Sequence, residues 1–221
     1  MTALAEALPP RLRQALAAVA DPARAPAMQA YMKSAMPFLG VPTPARRAIC
    51  RELFKGLEFA SAEDWQGQAL GIWRDAEYRE ERYCALALAG VRQALPFQRM
   101  NALAMYEEMI VTGAWWDYVD TIAGQHLLAI LRAEPAPMKR AMLEWASGPN
   151  MWKRRSAILC QLLAKQGTDL DLLYAAIAPS LGSKEFFLRK AIGWALRQYA
   201  RTDPAEVARY VAAHDSELSP L

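Results

Sequence analysis

Residues 183–201, SKEFFLRKAIGWALRQYAR, decide how this chain reads. Lys190, Trp194, Arg197 and Arg201 recur at i, i+4, i+7 and i+11, which places them on one face of an α-helix. Leu188, Ile192, Ala195 and Tyr199 fall on another face and supply core contacts. Packing alone does not explain a large aromatic at the centre of a cationic stripe. Basic side chains attract phosphates, and an interleaved aromatic can stack on a base or a sugar. The stripe therefore describes a helix with a nucleic-acid-binding face.

The same 3.6-residue period runs through the rest of the chain. It predicts helices over residues 3–20, 25–36, 44–56, 62–73, 77–93, 97–112, 115–132, 136–147, 151–165, 169–180, 184–201 and 204–213. The breaks are helix punctuation. Thr43-Pro44 reads as an N-cap followed by proline in the first turn, and Asp203-Pro204-Ala205-Glu206 repeats that form. Asn150 and Ser183 are further caps on this reading. There is no period-2 strand and no Asn-Gly hairpin. Helices in short-linked pairs stack as an α-solenoid with a concave surface. The expected fold is therefore all-α, a solenoid of degenerate helical repeats with a concave basic surface; a compact bundle is the alternative. No polar linker divides the chain, so residues 1–221 are expected to form a single domain.

Composition narrows the partners. Net charge is only +3, so the chain is not a polycation. Between Lys139 and Arg201, however, eleven basic residues face four acids, a local +7 that leaves about −4 for the remainder. Such asymmetry describes either one electropositive surface or a solvated face. Cys50, Cys84 and Cys160 are odd in number and lie far apart, with neither a disulfide framework nor metal spacing, which fits a reducing cytoplasm. Only His126 and His214 are present, so no metal site and no cofactor are expected. The N-terminal MTALAEALPPRLRQAL carries early acid and proline and is no signal peptide, and no stretch reaches transmembrane length.

Three places carry candidate chemistry. In AWWDYVDTIAG, Trp116 and Asp120 stand four residues apart on one helical face, and Ala123 and Gly124 continue that face, leaving room beside the carboxylate. Trp115, Val119, Ile122 and His126 form the adjoining apolar row. Asp117 suits a cap or dipole partner; Asp120 lies a turn too far in for that. Arg155 sits on an otherwise apolar row with Met151, Ile158 and Leu162. A charge there needs an anionic partner, either a phosphate or Asp120 itself. Tyr31, on a methionine-rich helix, reads as core. Glu107 and Glu108 are adjacent and point apart, and Trp65, Trp73, Trp145 and Trp152 read as packing.

Taken together, MQAYMKSAMPFLGVPTPARR, WWDYVD, WKRRSAIL and SKEFFLRKAIGWALRQYA resemble the bacterial alkylpurine DNA glycosylases of the AlkD type, from about residue 25 to the C-terminal end. That family is an α-solenoid of HEAT-like repeats. The resemblance implies a monofunctional hydrolase of base excision repair that removes cationic N3- and N7-alkylated purines from double-stranded DNA. It assigns Asp120 as the catalytic carboxylate, with Trp116 and Trp194 flanking the lesioned nucleotide. Arg155 holds DNA beside the catalytic site, and Tyr31 lines the same cleft. Lys190, Arg197 and Arg201 become phosphate contacts. No cofactor, no metal and no membrane are implied, and the charged concave face suggests a monomer in the bacterial cytoplasm. Pro42 departs from the polar residue expected there, and the pattern continues with a further helix where this sequence reaches Leu221. Two other classes remain open: a non-catalytic solenoid that binds damaged DNA, and a HEAT-like protein-interaction module. The second predicts little salt-dependent affinity for DNA.

Overall fold

A computed structural model describes residues 8–219, and among these the chain holds thirteen α-helices and no strand. The chain divides into two compact units, Met1–Phe97 and Gln98–Leu221. The predicted start of the first helix at residue 3, and the end of the chain at Leu221, lie outside the described residues.

The first unit contains α1 (Leu8–Ala17), α2 (Ala25–Met32), α3 (Thr43–Leu53), α4 (Ala62–Arg74) and α5 (Arg79–Ala89), followed by a 3-10 helix, Arg92–Phe97. Leu12, Leu16, Trp65, Ile72, Trp73 and Leu88 are buried at its centre, because the apolar stripes of α1, α4 and α5 face one another. The connection from α2 to α3 is pinned by a buried acid. The Glu80 carboxylate accepts the backbone N–H groups of Leu39 at 3.1 Å, Gly40 at 2.9 Å and Val41 at 3.1 Å. These three donors offset the cost of burying the charge. Gly40 has φ +82°, and a Cβ there would lie 2.1 Å from the Asp21 carbonyl oxygen, so only glycine fits.

The second unit contains α6 (Leu103–Gly113), α7 (Trp116–Thr121), a π-helical segment Ile122–Leu127, α8 (Leu128–Ala133), α9 (Pro135–Ser147), α10 (Met151–Leu159), α11 (Leu170–Ile177), α12 (Phe186–Tyr199) and α13 (Pro204–Ala213). The hub is α10, which packs on α6, α7, α9, α11 and α12. Its Ala157, Ile158 and Leu159 are buried, as are Met109 and Ile110 of α6 and Met138 and Met142 of α9. Each helix packs mainly on near neighbours in sequence, the pairing of an α-solenoid.

Several boundaries differ from the sequence reading. The helix at 43 begins with Thr43 inside it and Pro42 as an extended N-cap without a side-chain bond. Ser183 does not cap α12 either; its Oγ accepts the Glu185 N–H, and Glu185 stands at the N-cap. Asn150 and Asp203 do cap, accepting from Trp152, Lys153 and Glu206. The span 97–112 begins instead with a 3-10 turn, Met100–Ala102, and the span 169–180 passes into 3-10 geometry at Ala178–Ser180, where Pro179 cannot donate. The helix over 151–165 stops at Leu159, and Lys165 adopts φ +54°.

Candidate active site

The cationic stripe and the WWDYVD motif meet in the second unit. The chain reverses at Ala114, in the left-handed region with φ +42°, and enters α7 through Trp115 as an extended N-cap. Asp117 occupies the first turn, where a negative charge is favoured, and Asp120 lies at the far end of α7. The helix then widens into the π segment Ile122–Leu127, a distortion common beside functional groups. That wider turn shifts the phase of the residues after Asp120. Ala123 and Gly124 are consequently buried, and a Cβ on Gly124 would touch Leu162 rather than open space beside the carboxylate.

Arg155 answers Asp120. Its Nε donates to Oδ1 at 2.7 Å and its Nη2 to Oδ2 at 2.8 Å, a two-pronged pair. Nη1 donates to the Phe187 carbonyl in the first turn of α12 at 2.5 Å. One guanidinium thus ties α7, α10 and α12 together. The side chains are 5% and 11% exposed for Arg155 and Asp120, so water screens the pair weakly. Burial is the largest influence on the Asp120 carboxyl and pushes it above the ordinary carboxylate value. Arg155 opposes that shift, and the nearby charge of Asp117 adds to it.

The pair forms part of a cleft of about 480 Å³ lined by Trp116, Asp120, Arg155, Lys190, Trp194, Arg197, Gln198 and Arg201. Trp116 and Trp194 are half-buried, while Lys190, Arg197 and Arg201 are exposed. The Lys190 ammonium lies 5.6 Å from the Phe186 ring centroid. Among the described residues, no carboxylate pairs with Arg197 or Arg201. The wall behind the pair is aromatic: Trp152 packs 4.9 Å from Phe187, and Trp115 lies 5.5 Å from Phe187 and 6.1 Å from Trp152, centroid to centroid.

Seven of the eight residues singled out from the sequence therefore line one cleft. Tyr31 belongs to the first unit and is 77% exposed, so it is not a core residue. Two contributors were missed. Gln198 follows Arg197 directly and was hidden by the attention that cations draw. Phe187 acts through its backbone carbonyl, which no side-chain pattern reports. Glu107 pairs with Lys153 at 2.5 Å and stands apart from the cleft.

The site therefore presents one oriented carboxylate, two aromatic side chains and three exposed cations that pair with no carboxylate among the described residues, a set suited to an anionic polymer. The family described as "DNA alkylation repair enzyme" matches residues 12–221. A solved structure titled "Predicted DNA alkylation repair enzyme from Enterococcus faecalis" is 30% identical, covers 91% of this chain and 92% of its own, and superposes with a TM-score of 0.81. A search of curated proteins gave no match. No helix among the described residues is long and apolar enough to cross a membrane. The chain belongs to the DNA alkylation repair enzyme family.

Proposed function

We propose that this protein is a monofunctional DNA glycosylase that hydrolyses the N-glycosidic bond of cationic N3- and N7-alkylpurines in duplex DNA. The observation that carries the reading is the Asp120 carboxylate, clamped by Arg155 in a cleft that Trp116 and Trp194 also line. An alkylated purine of this kind already bears positive charge and leaves without prior protonation. The remaining demand is to stabilise the oxocarbenium-like sugar as the bond stretches and to orient water, which a fixed carboxylate does. The tryptophan faces stabilise the cationic nucleotide by about 1–2 kcal/mol each once desolvated.

Arg155 has a second task. A guanidinium carries five N–H donors. Asp120 and the Phe187 carbonyl take three of them, leaving two for a phosphate without loss of the pair. Lys190, Arg197 and Arg201 hold the flanking backbone, and Tyr31 adds a contact from the first unit. The whole chain acts as one functional domain, a HEAT-like monomer of the bacterial cytoplasm that needs no cofactor. The family match across residues 12–221 supports reading both units together.

The test is release of free base from a duplex carrying one 7-methylguanine, with wild type and Asp120→Asn side by side. Release by wild type, reduced at least a hundredfold in the variant, is expected. Full excision by Asp120→Asn sinks the mechanism. Binding without release by either protein makes the chain a damage-binding solenoid. Absence of binding makes it a protein-interaction module.

A further inference from the structure

The first unit brings together two cysteines that lie far apart in the sequence. Cys50 stands on α3 and Cys84 on α5, and these helices pack on each other. The two thiols are reduced and hydrogen-bonded to one another. They differ in access. Cys84 is fully buried, whereas Cys50 is 7% exposed and lines an open groove of about 1000 Å³ together with Phe54, Ala87 and Val91. Cys160 gives the contrast: it belongs to the second unit, is 0% exposed, and its Sγ donates to the Ala157 carbonyl at 3.2 Å.

Arg46 stands one turn before Cys50 on α3, so the two share a face. Its guanidinium lies 4.2 Å over the Tyr83 ring, and its Nη1 is buried with no hydrogen-bond partner among the described residues. A buried donor left over beside a thiol favours the thiolate. The hydrogen bond from Cys84 does most to hold the Cys50 thiol below its ordinary value; Arg46 adds to that, and burial opposes it. The same bond, with burial, pushes the Cys84 thiol up. The roles therefore divide. Cys50 ionises first and faces the groove, while Cys84 keeps its proton and waits behind it.

We propose that Cys50 and Cys84 form a two-thiol oxidation site, open through the groove to hydrogen peroxide and closing to an intramolecular disulfide between α3 and α5. The Cys50 thiolate attacks one peroxide oxygen; an S–O bond forms, the O–O bond breaks, and the departing hydroxide takes up a proton as water. The Cys84 sulfur then attacks the Cys50 sulfenic acid; the S–S bond forms, the S–O bond breaks, and the leaving hydroxide carries off the Cys84 proton as a second water. Two electrons pass from sulfur to peroxide. In a reducing compartment such a bond is transient and marks oxidative exposure. The site uses none of the residues assigned to excision, so it stands whether or not the protein is a glycosylase.

The test treats the intact folded protein with hydrogen peroxide, blocks remaining thiols, and reads the digest by mass spectrometry. A Cys50–Cys84 linked peptide is expected, reversed by a thiol reductant, with Cys50 consumed at least about tenfold faster than Cys160. Cys84→Ser is expected to stop at a sulfenic acid on Cys50, trapped by dimedone, and Arg46→Gln to slow the loss of Cys50 roughly tenfold at neutral pH. Sulfinic acid at Cys50 with Cys84 still reduced in wild type overturns the proposal, as does linkage of two copies through Cys50. Loss of Cys160 as fast as Cys50 overturns it too, since unfolding alone would then explain the reaction. The wild-type result stands even where a variant fails to fold, which circular dichroism reports.

Discussion

Asp120 and Arg155 face each other through two parallel hydrogen bonds of 2.7 and 2.8 Å, and both are nearly inaccessible to water. The geometry fixes both carboxylate oxygens without a hinge. Removing either partner leaves a buried charge unanswered, which costs about 3–5 kcal/mol, whereas replacing both by apolar groups costs far less. Arg155→Met is therefore expected to lower unfolding stability by that amount, and Asp120→Leu/Arg155→Met to recover much of it. A urea double-mutant cycle checks this. Additive losses would show that the pair contributes little coupling.

The same pair sets a pH dependence. Burial holds the Asp120 carboxyl above its ordinary value, so the folded protein binds that proton more tightly than the unfolded chain does. This group's contribution to stability is full below the unfolded carboxylate value and is lost as pH rises through the raised one. The proposed mechanism requires the ionised form, so excision runs the opposite way. The single-turnover excision rate is expected to rise across that window, with its acid limb above the ordinary carboxylate range. A pH–rate profile at saturating enzyme checks this; an acid limb at or below the ordinary range would assign it to another group.

The aromatic walls make a separable prediction. Trp194 is half-buried and lines the cleft. Stacking on an aromatic contributes about 1–3 kcal/mol per base. Trp194→Ala is expected to slow excision of 7-methylguanine by roughly 10- to 100-fold, while Trp194→Phe retains part of the rate. Trp116→Ala is expected to behave alike. Excision kinetics with matched circular dichroism separate lost stacking from lost fold.

The stripe was legible because helical periodicity alone puts Lys190, Trp194, Arg197 and Arg201 on one face, and all four do line one cleft. Arg155 was legible by a different argument: a charge on an apolar row demands an anion, and the anion is Asp120. What stayed hidden depends on the backbone. The Phe187 carbonyl reaches Arg155 across 32 residues, and no side-chain pattern announces it. The π segment after Asp120 breaks the period that a helical projection assumes, which is why Ala123 and Gly124 were misplaced. Tyr31 was read as core from its methionine neighbours, yet a helix of eight residues buries only Met32.

The segment between α2 and α3 offers the sharpest structural test. Gly40 and Gly56 both have positive φ, +82° and +71°, so alanine carries a conformational cost of roughly 1–2 kcal/mol at either. They differ in what surrounds them. A Cβ on Gly56 meets nothing within 4 Å, whereas one on Gly40 would stand 2.1 Å from the Asp21 carbonyl oxygen. That oxygen is backbone and cannot swing aside, because it accepts the N–H groups of Arg24 and Ala25. Gly40→Ala must displace the 39–41 segment and loosen the three N–H bonds to buried Glu80, whose lost donors cost about 1–3 kcal/mol. Gly56→Ala is therefore expected to be mild and Gly40→Ala severe, with a difference of several kcal/mol in urea unfolding. Equal losses would show that conformational strain, rather than the missing space beside Asp21, requires glycine at position 40.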